Sequence, residues 1–113
     1  MQIANPQVLA HPFLDQLYKD GYFPDHVVDR GKAILERLCG RIEAEQPTGP
    51  AALYVLTHAA TEEFNELAAE FEEAGSEIET VAREAIGEDF RFVAGAYGFH
   101  DADAEELIAT RDW

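Results

Sequence analysis

Between Val27 and Ile42, the residues Val27, Val28, Gly31, Ile34, Leu35, Leu38 and Ile42 recur mostly three or four positions apart, with Cys39 beside them. That spacing lines one face of an α-helix, so the pattern predicts a helix opening near Pro24 and Asp25 with one buried side. Gln46-Pro47-Thr48-Gly49-Pro50 crowds chain-breaking residues together and predicts a loop. Pro50 then begins a longer amphipathic segment, in which Leu53, Leu56, Ala60, Phe64, Leu67, Phe71 and Ala74 are spaced 3, 4, 4, 3, 4 and 3 before Gly75. This is the seam of a helix bundle. Ser76 with Glu79 has the form of a capping box and predicts a further helix, burying Ile78, Val81, Ala82, Ala85, Ile86, Phe92, Val93 and Ala96 until Gly98. Asp103 with Glu106 repeats that form before a short helix carrying Leu107 and Ile108. At the other end, Asn5-Pro6 is a cap and first-turn pair, and Phe13, Leu14, Leu17 and Tyr18 keep helical spacing up to Gly21. Pro12 predicts that this helix is kinked or begins late. Nothing alternates as a strand would. These faces predict an all-α, up-and-down bundle of four main helices plus a short C-terminal helix, in a single acidic domain over residues 1–113.

Charge narrows the choice of function. Eight Lys and Arg stand against 23 Asp and Glu, a formal net charge of −15, and such a field repels phosphate backbones and anionic lipid. Nucleic-acid and membrane partners are therefore not expected. The lone Cys39 has no internal disulfide partner, and Met1-Gln2-Ile3-Ala4-Asn5 lacks the basic-then-apolar layout of a signal peptide, so a cytoplasmic location is the expectation. The charge is also uneven. Residues 1–56 carry 7 acids and 5 bases, whereas residues 57–113 carry 16 acids and 3 bases.

Within that second half, eight glutamates lie between Glu62 and Glu79 with no Lys or Arg among them. Glu62, Glu66 and Glu70 fall at successive i, i+4 positions, where each like-charge pair costs roughly 0.2–0.5 kcal/mol, and they sit too far along the helix to gain from its positive end. Three readings fit this stripe: a solvated face of an acidic proteome, a docking surface for a basic protein, or a carboxylate cage for a metal. The docking reading assigns Glu62, Glu63, Glu66, Glu70 and Glu73 to partner contact, since charge complementarity speeds and orients association.

The four histidines, His11, His26, His58 and His100, each lack a Glu three positions before them, so the half-site of carboxylate-bridged di-iron bundles is missing. No phosphate-binding glycine loop, nucleophile elbow, zinc-protease pair or paired-cysteine motif occurs, and no cofactor is implied. Cys39, on an apolar face, reads as packing. The remaining polar constellation is His58, Thr61, Glu62 and Asn65, in which Glu62 one turn on could orient the His58 ring. It is a candidate ligand site and the basis of the alternative function below.

Tyr54-Val55-Leu56-Thr57-His58-Ala59-Ala60-Thr61-Glu62-Glu63-Phe64-Asn65, Ser76-Glu77-Ile78-Glu79-Thr80, Ala96-Tyr97-Gly98-Phe99 and Glu106-Leu107-Ile108-Ala109-Thr110-Arg111-Asp112-Trp113, with Tyr22-Phe23-Pro24-Asp25 and Leu38-Cys39 upstream, carry a resemblance. The chain resembles a bacterial family of small acidic proteins grouped as a domain of unknown function. The likeness covers nearly the whole chain and implies a bacterial, standalone protein. It supplies no activity, cofactor or catalytic residue.

Two functions follow as expectations. The first is a non-enzymatic, cytoplasmic module that binds a basic partner, by size and charge comparable to an immunity or antidote protein. The second is a small-ligand- or metal-binding bundle, an enzyme if it has chemistry, centred on His58 and Glu62. A homodimer sealed by bundle faces is compatible with both.

Overall fold

A proline in a helix interior lacks the N–H for the ladder and pushes the residue before it into extended backbone. His11 before Pro12 is extended, at φ −83° and ψ 128°, and the first amphipathic stretch is accordingly cut into two single turns, α1 (Pro6–Ala10) and α2 (Asp15–Lys19). The computed structural model describes residues 3–113, and among these residues it is all-helical without a strand. Three long helices follow: α3 (Asp25–Glu45), α4 (Pro50–Glu73) and α5 (Thr80–Ala96), and then the single turn α6 (Ala104–Leu107). Four helical stretches and a short terminal helix are thus present, with the first stretch divided at the proline.

Helices α3 and α4 form an antiparallel pair whose register is marked by Arg37 with Glu63 and Arg30 with Glu70, seven residues apart on each helix. Between them Gln46 takes a left-handed conformation and its N–H closes α3 on the Ile42 carbonyl at 2.9 Å. Helix α5 packs across α3 and carries α1, α2 and α6 on its flanks. The buried apolar side chains form one cluster, which includes Phe64, Phe71 and Phe90 together with Leu107 from α6.

The ends of α4 and α5 share one solution. Gly75 (φ 84°) and Gly98 (φ 88°) supply the left-handed residue after each helix, and the next amide folds back onto the chain: Ser76 N to Phe71 O, and Phe99 N to Ala94 O, each 2.8 Å. This corrects the expected Ser76–Glu79 capping box. The Ser76 amide is used in closing α4, its hydroxyl is buried without capping α5, and α5 begins four residues later behind Glu79, which makes no side-chain cap bond. The late start leaves Val81 exposed at the outer side of the first turn, while Asp89, Phe90 and Ala94 join the buried face. Ala74, expected at the seam, is exposed as the cap of α4. By contrast, Asn5 and Asp103 do cap α1 and α6 through their side chains.

Leu14 is the point where these layers meet. It is left-handed at φ 57°, a conformation that costs a non-glycine residue roughly 1–2 kcal/mol. Its fully enclosed side chain lies over Gly31 of α3, where an added Cβ would stand 2.9 Å from Leu14 Cδ1 and 3.2 Å from Phe64 Cε1. Gly31→Ala gains about 0.5–1 kcal/mol of helix propensity but overpacks this junction at a cost of about 1–3 kcal/mol. A net loss of about 1 kcal/mol is expected, read as a lower urea midpoint at unchanged slope.

Candidate functional site

The polar line on α4 expected to hold a ligand holds the chain's own C-terminal segment. His58 Nε2 donates to the Glu106 carbonyl at 2.7 Å, with the Glu106 carboxylate 3.1 Å away, and its ring stacks on Tyr54. A bond to a carbonyl requires the proton on Nε2, so this contact fixes the tautomer. Thr61 donates to the Thr57 carbonyl at 2.8 Å, and its hydroxyl lies 3.3 Å from the Leu107 carbonyl. Asn65 holds the segment at two points: Nδ2 donates to Thr110 O at 3.0 Å and Oδ1 accepts from Asp112 N at 2.9 Å. Trp113 beyond it packs edge-on against Phe64, and its carbonyl oxygen accepts from Arg83 at 2.6 Å.

Glu62 is not part of this clasp. Its side chain is exposed and makes no hydrogen bond or ion pair among the described residues, so the expected His58–Glu62 contact does not form. The His58 ring turns instead toward the segment that offers it a carbonyl and a carboxylate together. Among the described residues, no group of three or more His, Cys, Asp or Glu is placed to hold a metal ion.

The glutamate stripe divides in two. Glu63 and Glu70 face α3 and pair with Arg37 (2.6 Å) and Arg30, lining a groove of about 270 Å³. Glu62, Glu66 and Glu73 are exposed and make no ion pair among the described residues, with Glu66 at the border of that groove. Their spacing of four and seven keeps them on one line of the helix. At the foot of α4, Tyr22 is 44% exposed beside Glu77 and Glu79; partial desolvation and then the Glu79 and Glu77 charges hold its phenol above the ordinary range.

Two carboxylate sites lie outside the expected residues. Asp89, buried on α5, accepts from the Leu14 amide at 2.8 Å and bonds His11 Nε2 at 2.8 Å, while the His11 ring stacks on Phe92 with centroids 3.7 Å apart. Burial raises its pKa, opposed by the His11 and Leu14 hydrogen bonds. The sequence carries a signal for it: Asp89 lies among Ala82, Ile86, Phe90 and Val93 on an otherwise apolar face, where an acid needs a partner.

The second site is Glu43 on α3, which accepts from Tyr97 Oη at 2.5 Å, Ala4 N at 2.8 Å and Asn5 N at 3.1 Å. The Tyr97 hydroxyl, then the Ala4 amide, hold its carboxyl below the usual range, and burial pushes the neighbouring Cys39 thiol up to about 12. Tyr97 is raised in turn, by burial and then by Glu43. No local pattern marks this cluster, because its three donors come from residues distant in the chain.

A small all-helical bundle, with an acidic band on one helix and its C-terminal segment clasped across that helix, is the class these features define. Residues 7–113 match a family of unknown function (DUF5713), and the chain belongs to that family. No curated protein and no solved structure matches it.

His58→Ala removes one hydrogen bond to the clasped segment and Asn65→Ala removes two, each bond worth on the order of 1 kcal/mol. Each should lower the melting temperature by roughly 4–8 °C, and the double variant should fall short of the sum, because both act on one segment. Thermal denaturation of the three variants checks this.

The two carboxylates have opposite pH signatures. Glu43, lowered in the folded state, contributes stability that is present above its ordinary range and is lost as pH falls through its folded value. Asp89, raised, contributes stability that is present below its ordinary range and is lost as pH rises through its folded value. In urea titrations between about pH 3 and pH 7, Glu43→Gln should shrink the stability gained on leaving acid, and Asp89→Asn should enlarge it.

Proposed function

We propose that the protein is a non-enzymatic interaction module that uses the outer band of α4 to bind a basic protein partner, in the cytoplasm and in the manner of an immunity or antidote protein. One observation carries this reading. The arginines of α3 neutralise Glu63 and Glu70, whereas Glu62, Glu66 and Glu73 are left as an exposed line of like charge. The Glu62–Glu66 repulsion weakens the helix by roughly 0.2–0.5 kcal/mol, and a basic partner would convert it to attraction. Exposed Tyr22, rimmed by Glu77 and Glu79, adds an aromatic surface of the sort on which an arginine side chain stacks.

The test is a variant in which Glu62, Glu66 and Glu73 are all changed to Gln. These side chains have no partner to lose, so the variant should fold and be slightly more stable at low salt. Immobilised wild-type protein should retain a basic protein from native extract that the variant does not, and the purified pair should weaken as salt rises. Equal capture by the two proteins, or a binary affinity indifferent to salt, would overturn the reading.

A further inference from the structure

We infer that the cleft between the N-terminal segment, the end of α3 and the end of α5 binds a small organic cation with an apolar body, of the arylalkylammonium class. This goes beyond the interaction surface on α4 and uses none of its residues. The cleft has a volume of about 530 Å³ and is lined by Ile42, Pro47, Tyr97 and Phe99 around Glu43, with Asn5 and Gln46 at its polar edge. That size and mixture, largely apolar walls with a few convergent polar groups, is the usual make-up of a small-molecule site.

Charge decides the class of ligand. Glu43 is fixed by the Tyr97 hydroxyl and by two backbone amides, all neutral donors, and among the described residues no Lys or Arg lines the cleft. A carboxylate has about four acceptor positions, so these three bonds orient Glu43 and leave it room for one more donor. The result is a held negative charge with no counter-charge among the described residues of its walls, next to two aromatic side chains of the kind that attract cations. The other clefts differ in this respect. The α3–α4 groove contains its own arginines, Arg30 and Arg37, and the cleft beside α6 contains Arg91. The cleft at His11 has carboxylates, but its buried one, Asp89, is already bonded to His11 and Leu14.

The experiment is a nuclear magnetic resonance titration of the full chain with 2-phenylethylammonium and, separately, with its neutral counterpart 2-phenylethanol. Saturable shifts should appear at Asn5, Ile42, Glu43, Gln46, Tyr97 and Phe99 for the cation, with the alcohol weaker by about tenfold or more, the worth of a charge-assisted hydrogen bond. Glu43→Gln should bring the cation down to the affinity of the alcohol. Should that variant be unfolded by circular dichroism, Gln46→Lys decides instead: Gln46 is exposed at the rim, and an ammonium there should weaken the cation by a similar factor and leave the alcohol unchanged. Equal affinity for the two probes, cation binding unaffected in the folded variant, or non-saturating shifts along Glu62, Glu66 and Glu73 would each overturn the inference; the last is counter-ion accumulation on the acidic band.

Discussion

The buried carboxylate of Asp89 is the contact on which the arrangement of the other helices rests. Pro12 follows the end of α1, and the turn beyond it places Leu14 in left-handed backbone, with its amide pointed into the protein. An unpaired amide there would cost about 1–3 kcal/mol on top of the conformational strain. Asp89 accepts it, and the same carboxylate also bonds His11 on the other side of the proline. With the backbone of Leu14 tied to α5, its side chain falls onto the bare Gly31 of α3, which Phe64 of α4 approaches as well. One residue therefore sets the distance between three helices, which explains why a glycine is kept in the middle of α3 despite its poor helix propensity.

Where buried faces run for several turns, as from Val27 to Ile42 and from Leu53 to Phe71, periodicity located helices and core together, because burial of one stripe is what stabilises such helices. Where a residue can serve either of two helices, the pattern misled. Ser76 has the side chain of an N-cap, but Gly75 before it makes its amide the closing donor of α4, and a single Ser cannot also begin α5. His58 shows the same limit for the candidate site. From spacing, Glu62 is its neighbour; in space, Glu106 is nearer, brought there by a loop closure of 48 residues that no local pattern encodes. The Glu43–Tyr97 pair, 54 residues apart, was out of reach for the same reason, whereas Asp89 was legible as an acid on an apolar stripe.

Charge and packing are divided between opposite sides of α4. The inner side carries Phe64, Leu67 and Phe71, and the edge toward α3 carries glutamates with arginine partners. A third edge, through His58, Thr61 and Asn65, is satisfied by backbone groups of residues 106–112. The line through Glu62, Glu66 and Glu73 is left to solvent, with Val55 and Ala69 also exposed on this helix. The helix thus spends three of its sides on the fold, and its fourth is set apart by the absence of partners rather than by any special shape.

The clasp also bears on how the chain is made. During synthesis, the segment from Glu106 to Trp113 emerges after every helix that it covers, so α4 and α5 are complete while Phe64 still lacks Trp113 and the cavity filled by Leu107 stands open. Until then the nascent bundle exposes apolar surface that could join other chains. The polar grip of α4 gives the arriving segment a docking register set by hydrogen bonds, with Leu107 and Ile108 following into the core. Residues 57–113, the half that carries most of the negative charge, are also the half that finishes the core, and like charge opposes contact between two copies whose apolar surface is still open.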